Sequence, residues 1–428
     1  MSTVILGGGI IGSSIAYYLS ERQPTEEIHV IESSSKLFCA ASGYAAGFLA
    51  KDWFAPSLAP LGELSFNLHE SLAAENGGAE KWGYMKGTAL SLGSTSNKGG
   101  ARGDDWLRAG TSRAETAAGT SKTAAEVPDW LTQQQGATVE RISDKDTTAQ
   151  VDPSRLCQFL MDACLARGVK LHYPAKASSL VKDEGGTITA IKIVDSNTQT
   201  ESTIPCTNLV VCAGPWTPQV FQDLFPTSKV SLPIYALAGY SLVLRSPRHT
   251  LEHEQNSYGG LCHALFTTYP PSCGFSPELF SREGQEIYIA GLNSRDIPLP
   301  KRAEDFHAAM DQEQMDRLKA VTVRLLGKLA EGSVESSDDV LNVDDLEITR
   351  EGLCFRPASE RGTPFVTRIE DSLLGDGVKI GAGEKKGGVY VASGHGPWGI
   401  SLSLGTGKVV ADMVSGVQPA ADVSGLGV

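Results

Sequence analysis

The residues best suited to chemistry stand at the start of the chain. Gly7-x-Gly9-x-x-Gly12 lies between an apolar run, Val4 to Leu6, and a segment from Ser13 to Glu21 with helical spacing of Ile15, Ala16 and Leu19. In that setting Gly7 permits a tight turn and Gly9 lets a pyrophosphate approach a helix N-terminus. Gly12 allows the helix to pack closely on the strand. Glu32 stands twenty positions beyond Gly12, at the end of a second apolar run that begins at Ile28. Its carboxylate suits ribose hydroxyls and repels a 2′-phosphate. Gly7, Gly9, Ile10, Ile11, Gly12, Glu32 and Ser33 are therefore candidate dinucleotide contacts. The competing reading, a glycine-rich turn with an unrelated acid, does not account for strand, helix and acid falling in register.

A second constellation closes the chain. The strand-like Val389 to Ser393 runs into Gly394-His395-Gly396-Pro397-Trp398-Gly399. A helix opening just after Gly396 would aim free amides and its positive dipole end at an electron-rich ligand, such as the N1–C2=O edge of a reduced flavin. Pro397 has no amide, so the donors are Gly396, Trp398, Gly399 and Ile400. His395 is a candidate neighbour of flavin or substrate, or alternatively a turn histidine bonded to backbone. The first motif does not choose between FAD and NAD. The glycine strand near the C-terminus and the loop Ala41-Ser42-Gly43 to Gly47, where an extended dinucleotide would continue, point to FAD.

Around these motifs the chain reads as an ordinary globular protein of 428 residues, 41% apolar and 20% charged, which excludes a disordered or fibrous one. Its 46 glycines exceed the roughly 30 usual at this length, as tight turns beside a ligand require. The net charge of −13 and the lack of a basic run argue against nucleic acid. Eight unpaired-looking cysteines without CxxC read as reduced thiols. No apolar run approaches the ~20 residues of a membrane helix, and no leader precedes Val4, so a cytoplasmic location is expected. Pro153 to Arg167 predicts a helix, Lys170 to Tyr173, Ile188 to Val194 and Leu209 to Cys212 predict strands, and Ser231 to Ile289 has strand character. Asp305 to Leu329 predicts one long helix and the chain closes with a helix ending near Val414. Residues 94–125, rich in Gly, Ser, Thr and Ala, read as a flexible excursion.

Taken together, the fingerprint with Glu32, Ala40-Ala41-Ser42-Gly43-Tyr44-Ala45-Ala46-Gly47, Leu209 to Trp216, Cys354-Phe355-Arg356-Pro357 with Pro364-Phe365, and Ala392 to Ile400 resemble the D-amino-acid-oxidase-type FAD oxidoreductases. That family includes glycine and sarcosine oxidases. The similarity spans the chain apart from 94–125. It is nearest to a fungal branch carrying Trp82-Gly83-Tyr84 and Phe275-Ser276-Pro277-Glu278. The resemblance implies an α/β fold with two parts. One is a Rossmann-like FAD-binding domain assembled from separated segments, 1–50, 150–215 and 350–428. The other is an α+β substrate domain with a mainly antiparallel sheet, 51–149 and 216–349.

Residue by residue, the resemblance implies that Ser42, Gly43, Ala46, Gly47, Phe48 and Leu49 line pyrophosphate and flavin. Ala177 would meet adenine, and Gly214 and Trp216 would join the cofactor site. Arg356 would hold a substrate carboxylate, for which a guanidinium fork is suited, or else would serve a structural salt bridge. Cys354 stands where sarcosine-oxidase-like members attach the flavin 8α carbon, although Arg356 and Pro357 replace that group's tyrosine and threonine. Noncovalent FAD is the expected state, with an 8α-S-cysteinyl link as the alternative. The strand position that holds a substrate-covering tyrosine in many amino-acid oxidases reads Pro277-Glu278-Leu279-Phe280 here. Glu278 is either a site carboxylate that suits a cationic substrate or a solvated strand residue. No metal site is evident.

The activity implied is oxidation of the C–N bond of an amino acid or related amine by hydride transfer to flavin N5. The product imine hydrolyses, and oxygen or another acceptor takes the electrons. Two rival readings are a flavoprotein of reduced activity with a binding or regulatory role, and an NAD-dependent dehydrogenase.

Overall fold

The computed structural model describes residues 1–94, 123–124, 127–267, 271–375, 377–380 and 387–428. The expected excursion 94–125 lies outside them except for Ser94 and the short strand Thr123–Ala124.

Thr3–Leu6 is buried along its whole length because it is hydrogen-bonded in parallel on both sides, to Ile28–Ile31 and to Asn208–Val211. Burial on both faces is what allows such a continuous apolar run. The sheet has six strands in the order Phe365–Ile369, Gly388–Ser393, Asn208–Val211, Thr3–Leu6, Ile28–Ile31, Lys170–His172. Only Phe365–Ile369 runs antiparallel to its neighbour. Strands from widely separated segments thus form the Rossmann-like layer.

The first helix, Ile10–Leu19, starts three residues earlier than its apolar spacing suggests, since Gly9 is already its N-cap. It is buried throughout, enclosed by Pro153–Arg167 and by the last helix, Ser403–Val414. Gly407 of that last helix lies so close to Ser14 that a Cβ would collide with it. Beyond it the buried Asp412 accepts from Lys408 Nζ at 2.9 Å and from the Ala420 amide at 2.9 Å, and pairs with Arg22 at 2.5 Å. The Pro153–Arg167 helix has Pro at its first turn, an Asp152 carboxylate accepting from the Arg155 amide at 3.0 Å, and Gly168 at φ +104° as its stop. Apolar spacing predicted the same bounds, and the cap and stop account for them physically.

Two helix expectations need correction. Asp305 to Leu329 is not one helix: a 3-10 segment, Ala303–Ala309, is followed by an α-helix, Gln312–Leu326. The break falls where Asp311 turns extended and accepts from the Glu313 amide at 2.9 Å, capping a new helix. Likewise the last α-helix opens at Ser403 rather than after Gly396. Gly396–Trp398 forms only a 3-10 turn, and further turns intervene.

The second large sheet has ten strands. Its path runs Glu347–Ser359, Ile234–Arg245, Glu286–Ser294, Glu278–Arg282, Cys262–Thr267, Met85–Ser94, Ala137–Ser143 and Thr123–Ala124, with Phe48–Ala50 and Thr148–Gln150 beside it. It is antiparallel except between Cys262–Thr267 and Met85–Ser94. Glu347–Ser359 therefore bonds in the antiparallel sheet, although most of it falls in the segment 350–428 expected with the parallel one. The α/β class and the mainly antiparallel second layer agree with the sequence reading.

One buried polar residue in the packing has a measurable consequence. His69 is 1% exposed, with Nε2 3.0 Å from the Ile400 carbonyl, and burial pushes its pKa down to about 4. The folded chain thus keeps His69 neutral, whereas the unfolded chain protonates it below about pH 6.5. The stability from this residue is complete above that pH and drains away as pH falls toward 4, by about 2 kcal/mol at pH 5. Melting temperatures from pH 7.5 to 4.5 should fall, and His69→Gln should flatten the slope.

Candidate active site

A cavity of about 830 Å³ opens at the C-terminal ends of the parallel strands, lined there by Leu6, Ile31, Cys212, Ala392 and Ser393. This is the edge at which open α/β sheets take their ligands. At its floor Gly7 has φ +118°, and a Cβ there would lie 2.5 Å from the Cys212 carbonyl oxygen. Gly12 does not line the cavity. A Cβ on it would overlap the Gly7 carbonyl, so its part is the close packing of helix on strand. The Ile10 amide at the helix N-terminus donates to Ser42 Oγ at 2.9 Å. The Glu32 carboxylate accepts from the Gly8 amide at 2.9 Å and the Ser34 amide at 2.8 Å. An ionised carboxylate has about four acceptor positions, so capacity remains toward the cavity that Glu32 lines.

The loop after Glu32 is held from the antiparallel sheet. Arg282, only 4% exposed, donates to the Ala45 carbonyl at 2.7 Å and to the Ala46 carbonyl at 2.7 and 3.2 Å. Gln150 Nε2 reaches the same Ala46 carbonyl at 2.6 Å, and Arg350 donates to the Gly43 carbonyl at 3.1 Å. Sequence reasoning missed these side chains because their partners are backbone atoms more than a hundred residues away.

The wall opposite the glycine turn is a face of the antiparallel sheet. Arg356 pairs with Leu237, Cys354 with Gly239, and Gly239 with Asn293 on the next strand. The Arg356 guanidinium lies across Gly239 and donates to Asn293 Oδ1 at 2.5 Å. Ala290 and Asn293 are an odd number of positions apart, yet both line the cavity. A register shift between Gly239 and Ser241 turns them to the same side, as bulges beside sites commonly do. Gly239→Ala would drive a Cβ into the guanidinium and to 2.8 Å from Asn293 Oδ1. We expect it to weaken carboxylate ligands about 10- to 100-fold by displacing the fork, with melting temperature and bound cofactor little changed; ligand titration checks this.

Pro277 to Phe280 holds no tyrosine, but the adjacent strand carries one at the cavity. Tyr288 faces Phe280 in the register, lines the cavity, donates to the Tyr44 carbonyl at 3.0 Å and interacts with Arg356. Its position opposite a strand not yet paired in the sequence is why Glu286-Ile287-Tyr288 was not read as part of the site. Glu278 lines the cavity as well, so it is not simply a solvated strand residue. Cys354 is buried in the cavity wall, and burial raises its thiol pKa. His395, buried at the same wall, has Nε2 3.1 Å from Thr406 Oγ1, and burial pushes its pKa down to about 3. At neutral pH it is uncharged. A bridge between Ala358 and His395 brings its turn against the strand that carries Arg356.

Of the residues singled out from the sequence, Gly7, Gly9, Ile10, Ile11, Glu32, Ser33, Ser42, Ala46, Ala177, Gly214, Trp216, Cys354, Arg356, His395, Gly396, Gly399 and Ile400 all line this one cavity. Gly12, Gly43, Gly47, Phe48, Leu49, Gly394 and Trp398 stand behind it. Gly43 and Gly47 shape the loop, where a Cβ would strike the Phe38 and Val151 carbonyls. Phe48 and Trp398 belong to an aromatic cluster with Trp53, their ring centroids 6.4 Å apart. A further element had no signal in the sequence: Arg295, Asp296, Lys301 and Ala303 close the cavity on the side of Trp216, whose Nε1 donates to the Pro300 carbonyl at 2.9 Å.

A parallel sheet with a glycine turn and a ribose-type acid, joined through one cavity to an antiparallel wall bearing arginine, defines a dinucleotide-dependent oxidoreductase of two layers. Residues 2–413 match the family described as DAO, FAD dependent oxidoreductase, and the chain belongs to that family. It is 27% identical over 432 residues to C1F5.03c of Schizosaccharomyces pombe, named only as an oxidoreductase, covering 96% of this chain and 93% of that one. It superposes on glycine oxidase from Geobacillus kaustophilus with TM-score 0.68 at 19% identity, covering 100% and 97% of the two chains. For L-proline dehydrogenase from P. horikoshii the TM-score is 0.69 at 15% identity, covering 100% and 96%.

The cofactor of this family is FAD, and the residues present fit it. Gly7 lets the turn press against the Cys212 carbonyl, Gly9 leaves the helix N-terminus without a side chain beside Ser42, where a pyrophosphate would approach, and Glu32 keeps acceptor capacity toward the cavity. Among the described residues no helix is long and apolar enough to cross a membrane, and no cluster of His, Cys, Asp or Glu is placed to hold a metal.

Proposed function

We propose that this chain oxidises the C–N bond of an amino acid or related amine with noncovalently bound FAD. The observation that carries the reading is the continuity of one cavity from Gly7, Gly9 and Glu32 to Arg356 and Tyr288. The cofactor supplies the two-electron acceptor for the substrate Cα hydride. Arg356 holds the substrate carboxylate in its fork, and Asn293 fixes the fork by accepting one of its N–H groups. Gly239 leaves the lane in which the guanidinium lies. His395, neutral because it is buried, holds its turn through Thr406. Rate arises from this positioning rather than from a strong base. From bound FAD the two electrons would pass on to oxygen or another acceptor.

The test is the visible spectrum of purified protein before and after acid precipitation, followed by anaerobic mixing with a panel of amino acids and amines. Yellow colour released to the supernatant and bleached by a panel member is the expected result. Colour retained in the pellet moves the attachment to Cys354, and a holoprotein that no panel member bleaches removes the proposed activity.

A further inference from the structure

The sheet face that carries Arg356 also carries an acid. Glu278 pairs with Ala290, and Ala290 with Ser241, two positions from the Gly239 over which the guanidinium lies. Glu278, Ala290, Asn293 and Arg356 all line the cavity. The half-buried Glu278 carboxylate acts electrostatically on the Arg356 guanidinium. Positive and negative groups on one wall match a ligand that bears both signs.

Chemistry constrains which positive group that is. A nitrogen whose carbon is to lose hydride must present its lone pair, and a carboxylate beside it would hold it as ammonium instead. Glu278 therefore suits a cation that takes no part in the reaction. The same cavity also offers an apolar surface for a methylene chain. The Phe275 ring lies against Gly291, where any Cβ would overlap it, and both residues line the cavity.

We propose that Glu278 is a specificity determinant that selects basic amino acids, accepting their side-chain ammonium or guanidinium while Arg356 holds the carboxylate. This rests on the amine-oxidising reading above.

The experiment is calorimetric titration of the holoprotein with hexanoate and 6-aminohexanoate, which share a carboxylate and chain but differ in the distal cation. Neither carries an α-amine, so binding is read apart from turnover. The wild type should bind 6-aminohexanoate about 10- to 100-fold more tightly than hexanoate, the range expected for a charged hydrogen bond. Glu278→Gln should erase the difference and bind hexanoate more tightly than the wild type does, because the charge opposing it beside Arg356 is gone. Glu278→Lys should invert the order and prefer adipate, and bound FAD reports that each variant has folded. Equal affinities in the wild type, no binding of either ligand, or a preference that survives Glu278→Gln overturns the proposal. A Glu278-dependent preference in a protein whose flavin no amino acid bleaches would sustain cation selection and remove the oxidase reading.

Discussion

Arg356→Ala is expected to raise KM for a carboxylate substrate by about 30-fold or more, since losing a charge-assisted bidentate contact in a partly desolvated site costs about 2–5 kcal/mol. Bound FAD should stay at wild-type occupancy, because the guanidinium lies over Gly239 on the antiparallel wall while the glycine turn belongs to the parallel sheet. Arg356→Lys should recover only a small part of the loss. An ammonium keeps the charge but cannot engage a carboxylate and Asn293 Oδ1 in one planar fork. Steady-state kinetics with flavin quantified in parallel separates these outcomes. An unchanged KM would remove Arg356 from the substrate site.

Arg282→Met is expected to act on the other half of the site. Methionine fills similar space but removes three donor contacts to the Ala45 and Ala46 carbonyls. Gln150 still serves Ala46, so the partly buried Ala45 carbonyl is left without its donor. A buried polar group deprived of its partner costs about 1–3 kcal/mol, and the loop that lines the cavity through Ala45 and Ala46 loses its hold. FAD should dissociate about 10-fold more readily for each 1.4 kcal/mol that falls on the bound state, read by equilibrium dialysis with flavin fluorescence. Wild-type retention would show that the loop holds its shape without the guanidinium.

These two arginines mark what was legible in the sequence. Gly7, Gly9, Gly12 and Glu32 were readable because their work is local: a turn, a close approach and a strand end within one β-α-β unit. The helix Pro153–Arg167 was readable from its own apolar spacing. Arg356 became a candidate through a family resemblance, whereas Asn293 and Tyr288 reach it only through strand register and a bulge. Arg282 bonds to carbonyls, which every residue has, so no residue type elsewhere in the chain betrays it. The long-helix expectation at 305–329 failed because apolar spacing continued across Asp311, whose capping geometry outweighed it.

The order of strands has a consequence for biosynthesis. Asn208–Val211 lies between Thr3–Leu6 and Gly388–Ser393, so the sheet that forms the cavity floor takes in strands from both early and late stretches of the polypeptide. At about 5–20 residues per second a ribosome takes roughly 20–80 s to travel from the first of these strands to the last. For the later part of that interval, roughly 9–35 s between synthesis of Asn208–Val211 and of Gly388–Ser393, the exposed edge of Asn208–Val211 awaits its neighbour, open to mispairing. Nascent chains stalled before residue 388 should therefore fail to retain flavin and should depend on chaperones, whereas release of the later segment completes the floor in a single late step.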